Sequence, residues 1–292
     1  MDRFLQLTAS GLLLAGLYAM LAYGLALVYG VMKVVNLAHG GTIMLAAFFT
    51  WGLWDAIGLY PLAGALVAAP VFFVLGALLY LTLVRRMPVT GRGPSIESLL
   101  LLFGVWTIMR SAAYLIWGGD DHAITTATTQ ASWVLGSVSL PVTRVIAFVV
   151  GVAVTVGLVY LVGWTRFGRA IRAAAQDPGA CRLVGIDIER TNAITFGLAA
   201  SLAAIAGGVA ATIFAFNPEF GGLAMLKAFV IIVLGGMGSI LGVALGAVVL
   251  ALTESYATVV VESALTNMVG FVMLVTILVL RPQGLLGTRA VR

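Results

Sequence analysis

The sequence predicts an all-α polytopic membrane protein with about eight to ten transmembrane segments, some of them broken or re-entrant helices. Its 292 residues are 62% hydrophobic and only 9% charged, whereas about a quarter of the residues of a soluble domain are charged. Apolar runs recur from end to end, each long enough to cross roughly 30 Å of hydrocarbon. They do not alternate as the strands of a transmembrane barrel do. Residues 1–292 are therefore expected to form a single transmembrane domain.

The apolar runs place candidate spans along the whole chain, separated by polar intervals of at most about 25 residues, which leave no room for a soluble domain. The start of the chain runs directly into an apolar span and does not resemble a cleaved signal peptide. The spans are expected at about 7–29, 36–57, 61–84, 96–117, 143–164, 191–215, 224–251 and 262–280.

The charged residues in the polar segments between spans predict which side of the membrane each segment lies on. The interval 118–142 has two aspartates and no lysine or arginine, whereas the interval 165–191 has five arginines. Positively charged loops stay in the cytoplasm, so 165–191 is predicted inside and 118–142 outside. Two further groups are predicted inside, including the C-terminus: Arg85, Arg86 and Arg92, and then Arg281, Arg289 and Arg292.

Two apolar runs are interrupted by glycine and polar residues. The motif NLAHGG occupies 36–41, and LGGMGSILG occupies 234–242 with four glycines. The chain must cross an odd number of times between the outside segment 217–222 and the inside tail, so 224–251 is expected to be two pieces. Paired interruptions of this kind indicate a transport site.

NLAHGG has two interpretations. In one, Asn36 and His39 line a translocation path while Gly40 and Gly41 let the backbone bend, because irregular backbone in a membrane must face protein or water. In the other, Asn36 caps the second helix and His39 bonds a neighbouring helix. Lys33 is expected to extend to the interface.

The glycines of the second motif have the same two interpretations. Gly235, Gly236 and Gly238 either line the path or allow close helix packing. If they line the path, Gly235→Leu or Gly236→Leu should block transport without preventing assembly.

The carboxylates and the lysine near the second motif are assigned no transport role. Lys227 is expected to mark the outer interface, with attraction of a carboxylate as the alternative. Glu219 is expected to be solvated on the outside, with contact to a periplasmic partner as the alternative, and the depths of Glu254 and Glu262 are left open.

The interval 165–191 is expected to contain two capped helical pieces. RFGRAIRAAA is typical of a basic helix, and Asp177 and Pro178 are typical of the N-cap and first position of a short helix over about 178–184. Gly185 can end that helix in a left-handed conformation. Orientation alone needs only a few arginines, so this segment is expected to bind a cytoplasmic partner.

The sequence contains no motif of an enzyme site. It lacks HExxH, GxSxG and the GxxxxGK[ST] phosphate loop. With two histidines and one cysteine, no catalytic residue, metal site or bound cofactor is expected, and Cys181 has no partner for a disulfide. Uphill transport would therefore take its energy from a partner protein or an ion gradient.

Three blocks together resemble the permease subunits of branched-chain amino acid ABC importers of the LivH-like type. They are YGLALVYGVMKVVNLAHGG, RFGRAIRAAAQDPGACRLVGID and NPEFGGLAMLKAFVIIVLGGMGSILGVALGAVVLALTES. The resemblance extends over essentially the whole chain and implies the ABC importer permease fold. It also implies the inner membrane of a bacterium, a second related permease, two cytoplasmic ATPase subunits that use ATP, and a periplasmic substrate-binding protein.

The resemblance also implies that 165–191 is the ATPase-coupling loop, with Arg169, Arg172, Asp177, Pro178, Gly179, Leu183 and Gly185 as its residues. The Glu-Ala-Ala-x3-Gly pattern of such loops is matched by Ala173–Ala175 and Gly179, but the glutamate is absent. Reversing the charge of Arg169 and Arg172, or placing proline at Leu183, is expected to uncouple ATP hydrolysis from transport.

The same family shape serves leucine, isoleucine and valine and also urea and short amides, and no residue distinguishes these substrates. An ion-coupled secondary transporter or channel is the alternative from another class, but such proteins hold ionisable groups inside their spans. Here these groups are expected to be scarce and peripheral. Nucleic acid is not expected as a partner, because the arginines follow the orientation rule.

Overall fold

The structure is a computed structural model that describes residues 1–87, 96–259, 266–281 and 283–286. Arg92, Glu262, Arg289 and Arg292 lie outside these residues. A short 3-10 helix, Val84–Arg86, follows α3, and one hairpin joins β1, Ser132–Leu135, to β2, Val138–Pro141. The α-helices are α1 Asp2–Met32, α2 Ala38–Ile57, α3 Pro61–Thr82, α4 Ile96–Trp117, α5 Ala127–Gln130, α6 Val142–Trp164, α7 Arg166–Gln176, α8 Pro178–Leu183, α9 Ile188–Ala210, α10 Phe220–Gly235, α11 Ile240–Ala257 and α12 Thr266–Leu280.

The predicted all-α polytopic architecture is confirmed. Within the described ranges, seven helices are long and apolar enough to cross a membrane, namely α1, α2, α3 with its 3-10 extension, α4, α6, α9 and α11. The apolar helices α10 and α12 are shorter. The long spans follow the apolar runs of the sequence because each run is continuous and ends in polar or glycine-containing residues.

The helix ends lie on two faces of the bundle. On the first, which we name the loop face, the side chain of Gln6 bonds the backbone of Ser139 and the hydroxyl of Tyr60 bonds Thr128. On the second, the arginine face, Arg85 pairs with Glu189 at the start of α9 at 3.1 Å. The loop face therefore carries the N-terminus together with 118–141, and the arginine face carries the segment between α6 and α9.

Helix α1 runs through the centre of the bundle and is buried along most of its length. Its neighbours approach closely enough to touch backbone. A Cβ atom at Gly16 would lie 2.5 Å from Cα of Phe148, and one at Gly151 would lie 2.5 Å from the carbonyl oxygen of Gly16. Glycine is required at this crossing of α1 and α6, because small residues let helix backbones pack in direct contact.

The apolar run 224–251 forms two helical pieces, as the sequence predicted, and in the structure they run antiparallel. Helices α10 and α11 are separated by a turn at residues 236–239, and their backbones touch where a Cβ atom on Gly235 would lie 2.2 Å from the carbonyl oxygen of Gly242. Leucine at Gly235 would therefore push α11 away. This geometry argues against the expectation that Gly235→Leu leaves assembly intact.

The hairpin of α10 and α11 is fastened to α1 by a buried charged cluster. The ammonium of Lys227 lies 2.6 and 2.7 Å from the two carboxylate oxygens of Glu254, and it also donates to the hydroxyl of Tyr18 at 2.9 Å. The Tyr18 hydroxyl in turn donates to Glu254. The side chains of Lys227 and Glu254 are only 21% and 8% exposed. A paired charge inside a helix bundle avoids the large cost of facing lipid.

This cluster corrects two expectations. Lys227 was expected at the outer interface and instead pairs with Glu254, because the turn after Gly235 brings α11 back alongside α10. Ionisable groups were expected to be peripheral, and this pair lies within the bundle. Glu254, which the sequence left without a role, is the acceptor of the cluster.

Removing one member of the Lys227–Glu254 pair should destabilise the protein. Lys227→Met leaves the carboxylate of Glu254 buried without its cation, which typically costs about 3–5 kcal/mol. We expect a clear drop in the unfolding temperature of the purified protein in detergent. Replacing both residues, Lys227→Met with Glu254→Met, should recover much of the loss, because an apolar pair of similar volume is often neutral.

The control is Arg85→Gln, which breaks the exposed pair with Glu189 and should change stability by about 1 kcal/mol or less. Equal unfolding temperatures for wild type and Lys227→Met would show that the buried cluster does not fasten the hairpin.

Alanine at Gly235 should also weaken the fold. Its Cβ atom would meet the backbone of α11, and overpacking of this kind costs about 1–3 kcal/mol. The matched control is Gly157→Ala in α6, where nothing lies within 4 Å of an added Cβ atom. We expect the unfolding temperature to fall for Gly235→Ala and not for Gly157→Ala, and equal stability of the two variants would contradict the close packing of α10 and α11.

Candidate functional site

The first interruption lies between α1 and α2. Helix α1 ends at Met32, and Lys33 adopts a left-handed conformation with φ 55° while its N–H donates to the carbonyl of Tyr29. The Lys33 side chain is exposed, as expected of a residue at an interface. Residues 33–37 are not helical, and α2 begins at Ala38. The predicted interruption of the apolar run is present, but it lies at 33–37 and overlaps only the start of NLAHGG. Gly40 and Gly41, which were expected to let the backbone bend, are part of α2.

Asn36 does not cap α2, and this interpretation of the sequence is wrong. The N-cap is Leu37, which has helical angles and makes no side-chain hydrogen bond to the helix. The Asn36 backbone instead accepts the N–H of His39 at 3.2 Å. The Asn36 residue is only 5% exposed, and its side-chain oxygen is buried with no hydrogen-bond partner among the described residues. A buried acceptor without a donor is costly, so Asn36 remains a candidate for the path.

His39 bonds the neighbouring helix. Its Nε2 lies 2.8 Å from the carbonyl oxygen of Leu21 in α1, and the residue is 1% exposed. A Cβ atom on Gly24 would lie 2.6 Å from the imidazole ring, so glycine at this position of α1 leaves room for the histidine. The interhelical hydrogen bond foreseen for His39 is present, and a role in the path stays a prediction.

Gly40 and Gly41 lie at two different contacts of α2. A Cβ atom on Gly40 would lie 2.3 Å from the carbonyl oxygen of Gly221 at the start of α10, and one on Gly41 would lie 3.0 Å from the sulfur of Met109 in α4. Both glycines are buried. The first turn of α2 is thus packed directly between α4 and α10.

The second interruption lies near the arginine face. Gly236 and Gly238 have φ angles of 100° and 94°, which glycine adopts readily, and Gly238 packs against the backbone of Gly30 in α1. The hydroxyl of Ser239 accepts the N–H of Gly242 at 3.0 Å and caps α11. Leucine at Gly236 would therefore be strained in addition to any effect on transport.

The predicted path residues do not converge on one point. The first group, Asn36, His39, Gly40 and Gly41, reaches the start of α10. The second group, Gly235, Gly236 and Gly238, lies at the opposite end of the same helix. The two interruptions bracket α10, so each could change shape when this helix moves.

A charged cluster beside the first interruption was missed by the sequence analysis. The Nε of Arg110 in α4 donates to Oε1 of Glu219 at 2.8 Å, and Nη2 of the same guanidinium donates to the same oxygen. The hydroxyl of Tyr114 donates to this oxygen at 2.6 Å. The guanidinium also lies 5.8 Å from the ring of Trp106. Arg110 follows Met109, the residue that contacts Gly41. Glu219 lies two residues before Gly221, which contacts Gly40.

This cluster would be costly to expose to lipid. Arg110 lies seven residues before the end of α4, about 10 Å along the axis, yet 37% of its side chain is exposed, as is 46% of the Glu219 side chain. A charged side chain facing lipid at the centre of a span costs about 2.5–3.5 kcal/mol. The exposed side of the cluster must therefore meet water or another protein. Glu219, expected to be a freely solvated outside residue, is instead paired, and the signal was an arginine inside an apolar run.

A separate shallow cleft lies on the loop face. Its walls include the threonines Thr126, Thr128, Thr129, Thr143 and Thr212, together with Tyr60 and Val209. None of the predicted path residues lines it.

The segment between α6 and α9 contains the two expected helices. The side chain of Asp177 accepts the N–H groups of Gly179 and Ala180 at 2.8 and 3.0 Å, and Pro178 occupies the first helical position. Gly185 follows with φ 78°. The predicted short helix over about 178–184 is confirmed as α8, because the Asp-Pro pair caps it.

Some side chains of the segment between α6 and α9 bind the rest of the protein, and others are exposed. Arg172 donates to the carbonyl oxygens of Val162 and Gly163 and so joins α7 to the end of α6. Arg169 is exposed. At the end of α8, Leu183 is 89% exposed and Val184 is 74% exposed. This is an apolar tip on a face rich in arginine.

Comparison with known proteins places the chain in a family. The family model described as the permease component of branched-chain amino acid transport systems matches residues 7–280. The chain is 29% identical to the high-affinity branched-chain amino acid transport system permease protein LivH of Escherichia coli strain K12, over 97% of this chain and 96% of that protein.

Two other relatives are the corresponding permease proteins BraD of Pseudomonas aeruginosa, at 32% identity over 97% of this chain and 96% of the relative, and LivM of Salmonella typhimurium, at 30% identity over 92% of this chain and 68% of the relative. No solved structure matches the chain. The match across nearly every helix, interruptions included, shows that this chain belongs to the family of permease components of branched-chain amino acid transport systems.

Proposed function

We propose that the chain is the permease subunit that carries leucine, isoleucine and valine across the bacterial plasma membrane, in an importer driven by two ATPase subunits. It pairs with a second, related permease and receives its substrate from a periplasmic binding protein. The names of the relatives support the substrate, and the likeness to both LivH and LivM supports a pair of permeases. In this arrangement the arginine face, and with it the C-terminus, is cytoplasmic.

The observation that carries the coupling to an ATPase is the exposed end of α8. In a membrane-facing position an apolar tip would simply contact lipid, but Leu183 and Val184 belong to the arginine face, where the orientation rule requires the cytoplasm. Exposed apolar residues on a capped helix are typical of a protein interaction site. Arg169 of α7 is also exposed, so the arginine face offers a partner positive charge as well as an apolar tip.

Closure of the ATPase pair on ATP would move α8 and α7 as one lever. Ile171 and Ala174 of α7 pack against Leu27 and Val31 of α1, so a shift of α7 reaches the helix at the centre of the bundle. Gly30, in the same part of α1, contacts the second interruption at Gly238. The path would then switch between outward and inward states, provided that its affinity for the substrate differs between them.

An ion-coupled transporter would use its buried charges differently. The Lys227–Glu254 pair is the buried ion pair among the described side chains, and both charges are satisfied by each other and by Tyr18. A fully bonded pair that fastens three helices is suited to structure. This favours an external energy source over an ion gradient.

The substrate is tested with the reconstituted complex of both permeases, the ATPases and the binding protein. Uptake of labelled leucine, isoleucine, valine, urea and acetamide into proteoliposomes is measured with ATP inside. We expect uptake of the three amino acids and none of urea or acetamide. Uptake of urea or acetamide without the amino acids would assign the chain to an amide or urea importer.

The role of α8 is tested by removing its cap. Asp177→Ala deletes both hydrogen bonds to the first turn, at a cost of about 1 kcal/mol, and a six-residue helix has little stability of its own. We expect leucine uptake and substrate-stimulated ATP hydrolysis to fall several-fold in the reconstituted complex. Asp177→Asn is the matched control, because asparagine is an equally good N-cap. If both variants transport like wild type, α8 is a passive connector.

A further inference from the structure

The Arg110–Glu219 ion pair does not use all the hydrogen-bonding positions of its two side chains. All of its hydrogen bonds described above, including that from Tyr114, end on Oε1 of Glu219. Among the described residues, Oε2 of Glu219 and Nη1 of Arg110 therefore take no part in the pair. Each charged group keeps an open position, and both side chains are more than one third exposed.

Stability gives little reason for this pair to exist. A half-exposed ion pair contributes little, because water screens the charges and two long side chains must be held in place. An apolar pair at the same positions would suit a membrane helix better. The cluster at Lys227 differs, because both of its charged side chains are largely buried and hydrogen-bonded to each other.

The surroundings of the pair fit an amino acid. The rings of Trp106 and Tyr114 flank the guanidinium at 5.8 and 5.7 Å, and Phe103 lies 5.5 Å from Trp106. These rings offer apolar surface for an aliphatic side chain. The indole N–H of Trp106 is buried without a hydrogen-bond partner in the described part of the chain, so a further donor adjoins the arginine.

The pair also touches the interruption in α2. Met109, next to Arg110, contacts Gly41, and Gly221, two residues after Glu219, contacts Gly40. The N-terminus of α2 has no side-chain cap, and the start of a helix carries partial positive charge. A ligand bound at the pair would therefore lie close to the element that the sequence analysis assigned to the path.

We propose that Arg110 and Glu219 form a binding site for a zwitterionic amino acid on the translocation path, with the carboxylate of the ligand on Arg110 and its ammonium on Glu219. A free amino acid carries both charges about as far apart as the two partners, so it can lie antiparallel beside the pair and leave neither charge uncompensated. In the assembled importer, the second permease would cover the exposed side of this pair. The inference rests on the proposed function, because it requires an amino acid as the cargo.

The test uses the complex of both permeases and ATPases in nanodiscs without the binding protein. Binding of leucine is measured by ligand-detected NMR, together with competition by leucinamide, which lacks the carboxylate, and 4-methylpentanoate, which lacks the ammonium. Wild type should bind leucine in preference to both analogues. Arg110→Gln and Glu219→Gln should each weaken leucine binding by about 10- to 100-fold, the usual effect of losing a charged hydrogen-bond partner.

The two variants should also differ in which analogue they tolerate. Arg110→Gln should lose the preference for leucine over leucinamide, and Glu219→Gln should lose the preference over 4-methylpentanoate. A pair that merely holds α4 in place would change all affinities together. Arg85→Gln, which breaks the exposed ion pair on the arginine face, is the control and should keep wild-type affinities and preferences.

Three results would overturn the proposal in a wild-type complex that imports leucine. The first is no leucine signal, and the second is unchanged leucine binding in both variants. The third is loss of the second permease from the purified variants while the analogue preferences stay unchanged, which would make the pair a subunit contact. Failure of the proposed function is a separate result, because there the wild-type complex with its binding protein would not import leucine at all.

Discussion

Every backbone N–H and C=O inside the hydrocarbon must be hydrogen-bonded by the protein itself, and this constraint decides where the chain can interrupt its helices. At the first interruption, Lys33 donates back to α1 and His39 donates to Asn36. At the second, the N–H groups of Leu285 and Leu286 reach the last carbonyls of α10, at Leu234 and Gly235. At each break, backbone of the same chain therefore takes up some of the polar groups that the helix ends leave free.

Helix α1 connects these features. It contacts α7 through Leu27 and Val31, the second interruption through Gly30, and His39 through Gly24. Contacts therefore run from the exposed tip of α8 along α7 and α1 to both breaks. Interiors packed this closely shift between discrete arrangements instead of deforming gradually, so a push on α8 has a physical route to the path. The fully hydrogen-bonded Lys227 cluster stabilises the bundle, and the Arg110–Glu219 pair, which keeps open positions, is the proposed substrate-binding site.

The sequence predicted features that depend on local chemistry. Glycines located the second interruption, and NLAHGG located the first to within a few residues. The Asp177–Pro178 pair located α8, and the distribution of arginines assigned the connections to two faces. Features that depend on which helices face each other were missed. Lys227 meets Glu254 only because the chain turns back after Gly235, and Arg110 meets Glu219 across 109 positions. Asn36 has the right residue type for a cap, but the packing of α2 against α10 and α4 fixed its start one residue later.

In the function proposed above, this chain is a gate that moves only when ATPase subunits bound to its arginine face use ATP. Uptake of labelled leucine into vesicles containing this permease alone, compared with vesicles containing the full complex and ATP, tests it most directly. We expect uptake only when the ATPases and ATP are present. Saturable accumulation of leucine by the isolated chain would contradict it.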